Sequence, residues 1–205
     1  PISGVGITTP MIITVLDEDG NSTFCNFNMI SIDTLVTQIT CPVDSTVYVD
    51  VNCQYLLADY TSAVILVDNC TSIGSLTLVQ SPPSGTTITI DQLITMTVTG
   101  GTPATPQVCT FTALLFDTIA PTILCPAGVN QYVDNSCTVA LMDYTSAGGI
   151  IVENCATGIT VTQSPVPGDL VGVNPTETII LTVADSAGNT GTCQLVVAII
   201  DTISP

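Results

Sequence analysis

The nine cysteines of this 205-residue chain recur at a fixed translation. Cys25, Cys41, Cys53 and Cys109 each lie 84 residues before Cys109, Cys125, Cys137 and Cys193, and Cys70 lies 85 before Cys155. Other marks move with them. Asp33-Thr34, Asp117-Thr118 and Asp201-Thr202 keep the same spacing, Asp68-Asn69-Cys70 answers Glu153-Asn154-Cys155, and Gln80-Ser81-Pro82 answers Gln163-Ser164-Pro165. The first 25 residues align without a gap on 169–193, with Gly4-Val5 on Gly172-Val173 and Asp17, Gly20 and Asn21 on Asp185, Gly188 and Asn189. So many coincident matches at one period indicate tandem copies of a single structural unit. The register gives the C-terminal part of a preceding repeat at 1–33, whole repeats at 34–117 and 118–201, and the start of a following repeat at 202–205. The odd cysteine, Cys25, then takes a partner outside this fragment.

Each period reads as strands. Val, Ile, Thr, Leu and Tyr fill short alternating runs such as Ser45-Thr46-Val47-Tyr48-Val49 and Ile159-Thr160-Val161-Thr162. Thr suits the exposed face of a pleated strand and Val or Ile the buried one. Clusters of Gly, Pro, Asn and Asp punctuate the runs every 8–12 residues or so, the rhythm of a β-sandwich. Residues 17–21 and 185–189 carry hairpin-turn chemistry, with Gly20 and Gly188 free to adopt positive φ. The middle period has Gly100-Gly101-Thr102-Pro103-Ala104 there instead, which predicts a longer or irregular hairpin. The expected fold is all-β: tandem immunoglobulin-like sandwiches. Asp117-Thr118-Ile119-Ala120-Pro121 leaves almost no linker at the junction, and Pro121 holds the preceding residue extended, so an elongated, semi-rigid rod is expected.

Composition removes whole classes of function. The chain has 17 acidic residues and no Lys, Arg or His, where about 25 basic residues would be usual. No side-chain salt bridge can form. Nucleic-acid binding is excluded because nothing neutralises a phosphate, and anionic membrane surfaces are disfavoured for the same reason. No apolar run approaches the ~18 residues of a membrane-spanning helix, so direct membrane insertion is not expected. A net charge of −17 opposes clumping of an otherwise apolar chain. Catalysis lacks a base, an electrophile or an anion clamp, and a Ser or Thr nucleophile would lack its activating partner. Paired carboxylates could in principle cleave a glycoside, but the acids are scattered over turns. No enzyme activity is expected.

The succession Asp-Thr-x-x-Pro, Ile/Leu-x-Cys-Pro, a short-spaced cysteine, Asp-Asn-Cys, Gln-Ser-Pro and Asp-x-x-Gly-Asn-x-x-x-Cys resembles the hyalin repeat (HYR) domain. The resemblance covers essentially the whole chain. It implies an immunoglobulin-like fold in extracellular adhesive proteins, including large surface proteins of Bacteroidota bacteria. It also implies a disulfide pattern. Four cysteines allow three connectivities. Relatives with only two cysteines keep the first and fourth, which pairs Cys41 with Cys109 and Cys125 with Cys193 and leaves Cys53 with Cys70 and Cys137 with Cys155. A zinc site is the rival reading, but no C-x-x-C and no His are present. Disulfides place the chain outside the cell or on its surface.

Three kinds of site are candidates. Asp17, Asp19 and Asn21 offer alternate oxygens of the kind calcium takes, although Asn28 stands where an EF-hand needs Glu. The junction acids Asp33, Asp117 and Asp201 are a second calcium option, as in cadherin-like arrays. Thr34, Thr118, Thr202, Ser45 and Ser186 follow Asp and precede apolar or small residues in most cases, resembling the acceptor motif of Bacteroidota O-glycosylation. Asn21-Ser22-Thr23 is an N-linked sequon. Apart from calcium no cofactor is expected. The leading functional expectation is a stalk or filament segment of a secreted or cell-surface adhesin. The alternative is a carbohydrate- or protein-binding adhesive module, stabilised by calcium. Expected partners are neighbouring repeats, further copies in a fibre, and a glycan or surface ligand.

Overall fold

A computed structural model describes residues 6–146, 149–155, 158–174 and 176–204. Gly4-Val5 of the sequence match and the terminal Pro205 lie outside the described residues. An N-terminal hairpin pairs β1 (Thr8–Leu16) with β2 (Ser22–Ile30). Eight strands follow: β3 (Gln38–Thr40), β4 (Ser45–Tyr48), β5 (Tyr55–Leu56), β6 (Ile65–Val67), β7 (Thr77–Ser81), β8 (Thr87–Ile88), β9 (Gln92–Thr99) and β10 (Gln107–Phe116). The same eight recur one period on: β11 (Thr122–Leu124), β12 (Val129–Tyr132), β13 (Thr138–Ala140), β14 (Ile150–Val152), β15 (Thr160–Ser164), β16 (Leu170–Gly172), β17 (Glu177–Ala184) and β18 (Thr190–Ile200). Two three-residue 3-10 turns, at Thr61–Ala63 and Ile73–Ser75, are the only helical pieces among the described residues. The all-β expectation holds.

The chain divides into two compact units, 1–45 with 56–114 and 46–55 with 115–205. In the first, β7, β9 and β10 form antiparallel neighbours with β9 central, and β3 pairs with β6. In the second, the sheet runs β12–β18–β17–β15, with ribbons β11–β14 and β13–β16 beside it. Alternation along the long strands builds each core. Ile94, Met96 and Val98 of β9 and Phe111 and Ala113 of β10 point inward in the first unit. Ile179, Leu181 and Val183 of β17 and Leu195, Val197 and Ile199 of β18 do so in the second. A side chain of this size contributes about 1.5–3 kcal/mol when fully buried, so these strands carry most of the hydrophobic stabilisation.

The three hairpins share one register. Cys25 lies opposite Ile13, Cys109 opposite Met96, and Cys193 opposite Leu181. Their burial differs. Met96 and Leu181 are buried, whereas Ile13 is 52% and Val15 61% exposed. The β9–β10 connection, residues 100–106, is longer than the 185–189 turn, as its sequence implied.

The disulfides depart from expectation at one place. Cys41 is bonded to Cys109 and Cys125 to Cys193, each with Cα atoms 5.6 Å apart. The expected pairs Cys53–Cys70 and Cys137–Cys155 are not formed. Cys53 is bonded to Cys155 instead, Cα–Cα 5.0 Å, while Cys25, Cys70 and Cys137 are free and exposed. The resemblance joined the first and fourth cysteines of each repeat and left the second and third to each other. The turn bearing Cys53 lies instead against the loop bearing Cys155, with Asn154 Nδ2 donating to the Asp50 carbonyl at 3.3 Å.

Candidate functional site

Two recurring loops carry the chemistry of this chain. The first is a tight turn that presents a cysteine. Asp50 Oδ1 accepts from the N–H groups of Asn52 and Gln54, at 2.8 and 3.0 Å, and Cys53 N–H donates to the Asp50 carbonyl. These bonds hold Cys53 at φ 57°, in the left-handed region. Asp134 does the same for Ser136 and Thr138, and Cys137 sits at φ 56°. The second loop follows β6 or β14. In it Cys70 N–H donates to Asp68 Oδ1, and Cys155 N–H donates to Glu153 Oε1. The Thr71 N–H and the Thr37 hydroxyl also donate to Asp68, and these bonds pull its carboxyl down to about 2. Partial desolvation, with the nearby carboxylates of Asp33 and Asp68, raises the Cys70 thiol above its ordinary pKa.

In the second unit the loop at 153–155 completes an acidic cluster. One oxygen each from Asp117, Glu153 and Asp185 lie within 4.8 Å of one another. Asp117 Oδ1 accepts from Ile119 N–H and from Asn154 Nδ2, and the Asp117 carbonyl accepts from Asn189 Nδ2 at 3.1 Å. Glu153 Oε2 and Asn154 Oδ1 are buried without a hydrogen-bond partner. Asp185 is buried, which by itself raises its pKa. Hydrogen bonds from Asn189, Ala187 and Gly188 outweigh that and hold the carboxyl below its usual range. Three converging carboxylates with spare oxygens suit a hard cation. No Lys, Arg or His exists anywhere in the chain to balance them.

The residues singled out by sequence fall as follows. Asp117 joins the cluster; Asp33 and Asp201 make the equivalent local bonds to Leu35 and Ile203 N–H. Glu153 and Asp185 belong to separate turns that only the fold brings to Asp117. The carboxylate of Asp17 is engaged by its own turn. Oδ1 accepts from Asp19 and Asn21 N–H, and Oδ2 accepts from Asn21 Nδ2 at 2.8 Å. Asp185 and Asn189 repeat that arrangement. Thr34, Thr118, Thr202 and Ser186 are exposed, and Ser45 is half-buried at the start of β4.

The Gln-Ser-Pro signature has a structural use. Gln163 accepts from Tyr144 N–H at 2.7 Å through Oε1 and donates to the Met142 carbonyl through Nε2. Gln80 serves Tyr60 and Ala58 in the same way. Each buried amide satisfies backbone groups of an irregular segment that no strand pairs.

Residues 116–199 match the HYR domain. No curated protein matches the chain by sequence. Among solved structures, a protocadherin gamma B7 EC3–6 cis-dimer is 11% identical with a TM-score of 0.50, covering 95% of this chain and 58% of its own. The extracellular cadherin domains 1–5 of protocadherin gamma B2 are 8% identical with a TM-score of 0.51, covering 97% and 46%. The chain therefore spans about half the length of these structures, and at such identity the likeness is one of fold.

Proposed function

We propose that this chain is a non-enzymatic structural segment of an extracellular adhesin, a stalk or filament built from HYR-like repeats at 34–117 and 118–201. The carrying observation is the pair of bonds Cys41–Cys109 and Cys125–Cys193. Each ties a cysteine just ahead of β4 or β12 to the last strand of the same repeat. A pull on the chain passes through the sulfurs and leaves the residues between them unloaded. The HYR match and the absence of basic catalytic groups support this reading. The bare inner face of β1–β2, in the register of β9–β10 and β17–β18, supports a further repeat belonging to that hairpin, and with it an array. A Bacteroidota surface protein with sugars on the exposed Thr34, Thr118 and Thr202 is the finer form of the proposal.

The test is force spectroscopy on the tethered chain. Each bond bypasses 68 residues. At about 3.5 Å per residue, reduction should release about 240 Å of extra contour length per bond. Equal extension before and after reduction would refute the load-bearing role.

A second reading concerns calcium and rests on the Asp117–Glu153–Asp185 cluster. Its oxygens fit a hard divalent ion, and the ion would supply the positive charge that the side chains cannot. Such an ion would stiffen the 117–121 and 153–155 segments, and it would serve a stalk or a ligand-binding module alike.

A further inference from the structure

The bond Cys53–Cys155 joins the second cysteine of one sequence period to the third cysteine of the next. One translation leaves two cysteines over. Cys137 is a second cysteine and Cys70 is a third, and both are free and exposed. We propose that Cys70 and Cys137 are the complementary halves of this same joint, each meant for a neighbouring repeat of the array, and that two copies of this chain reproduce the joint when Cys137 of one bonds Cys70 of the other.

Both halves are already shaped for it. Cys137 stands on the turn that presents Cys53, with the same left-handed φ and the same aspartate bonds. The receiving side repeats as well. A cavity of about 300 Å3 is lined by Leu35, Val36, Gln38, Val67, Asp68 and Asn69, in the loop that leads into Cys70. One period on, Ile119, Ala120, Thr122, Val152, Glu153 and Asn154 line the matching cavity of about 210 Å3, and there Val51, from the turn bearing Cys53, joins the lining. The socket beside Cys155 holds its turn; the socket beside Cys70 lacks one.

The polar groups tell the same story. With the turn seated, Asn154 Nδ2 bridges the Asp50 carbonyl and Asp117 Oδ1, at 3.3 and 3.1 Å. At the open socket the corresponding Asn69 Nδ2 donates to its neighbour Cys70 Sγ, as Asn154 Nδ2 also does to Cys155 Sγ, but among the described residues it has no carbonyl or carboxylate partner. Asp33, the counterpart of Asp117, is only 7% exposed, and its Oδ2 has no hydrogen-bond partner. A seated turn would draw Asn69 back between Asp33 and the carbonyl of Asp134 in the second copy.

The chemistry is thiol–disulfide exchange. The two protein thiols lose two protons and two electrons to form one S–S bond. A low-molecular-weight disulfide such as oxidised glutathione takes them up and leaves as two thiols. The joint supplies a covalent partner contact for the stalk reading but does not need it, because force extension of a single chain is unaffected by its failure.

The test uses the full chain with Cys25→Ser throughout. One variant adds Cys70→Ser and a size tag, leaving Cys137 open; the other adds Cys137→Ser, leaving Cys70 open. All three changes are at exposed free thiols, and mass mapping checks that the three internal bonds persist. The variants are mixed in glutathione redox buffer, quenched by alkylation and resolved without reductant. Indiscriminate thiols give as much heterodimer as both homodimers together. The joint predicts at least a tenfold excess of heterodimer with Cys70 linked to Cys137, and a loss of that excess in Asn69→Ala. A statistical product ratio, or no dimer, overturns the proposal.

Discussion

Removing the Cys125–Cys193 bond tests whether sulfur bridges replace the ionic contacts this chain cannot make. The perturbation is Cys125→Ala with Cys193→Ala, so that no unpaired thiol remains. The bond closes a loop of 68 residues. Chain-entropy arithmetic for such a loop gives about 4 kcal/mol of stabilisation, by restricting the unfolded chain. Both sulfurs also pack against the core formed by Leu181, Leu195 and their neighbours, so truncation removes some contact as well. A domain of this size typically holds about 5–15 kcal/mol in all. With a urea dependence of about 1–2 kcal/mol per molar, the second unit's midpoint should fall by about 2–4 M. Urea unfolding followed by tyrosine fluorescence, in which Tyr132 and Tyr144 report on this unit, reads the shift. A loss below about 1 kcal/mol would refute the reasoning. The bond would then be absent in solution, or the unfolded chain already compact enough that closing the loop restricts little.

Two other outcomes follow from the carboxylates. Calcium should raise the melting temperature of the second unit, with about 2.7 kcal/mol gained at one hundred times the dissociation constant. Glu153→Gln should abolish that rise, and an equal rise in the variant, or with sodium at matched ionic strength, would remove the site. Acid should destabilise the first unit through Asp68, whose carboxyl is lowered to about 2 in the folded state. A group with a depressed folded pKa stabilises above its unfolded value and loses that contribution as pH falls through the folded one. Melting temperature should therefore drop between about pH 4 and pH 2, and Asp68→Asn should flatten that slope. A slope unchanged in the variant would show that Asp68 is not the group responsible.

The fold was legible because the side-chain alternation of strands and the translation of cysteines are both written in residue order. Val47 and Val49, alternating with Thr46 and Tyr48, announce a buried face by their spacing alone. The Gln-Ser-Pro motif was visible as a repeat, but its use was not, since Tyr144 N–H and the Met142 carbonyl are nineteen and twenty-one residues from Gln163. The acidic cluster was half legible. Asp117 stood out by recurrence, whereas Glu153 and Asp185 looked like ordinary turn acids.

Sequence alone determined the all-β character, the period, and the exclusion of chemistry that needs a basic side chain. These depend on local propensity and on composition, which do not require knowing what touches what. Only the tertiary structure decided the partner of Cys53. A disulfide needs Cα atoms about 5–6 Å apart with suitable direction, and nearness along the chain does not supply that. The turn at 50–54 meets the loop at 153–155 across more than one period, so the bond links successive periods and leaves Cys70 and Cys137 open.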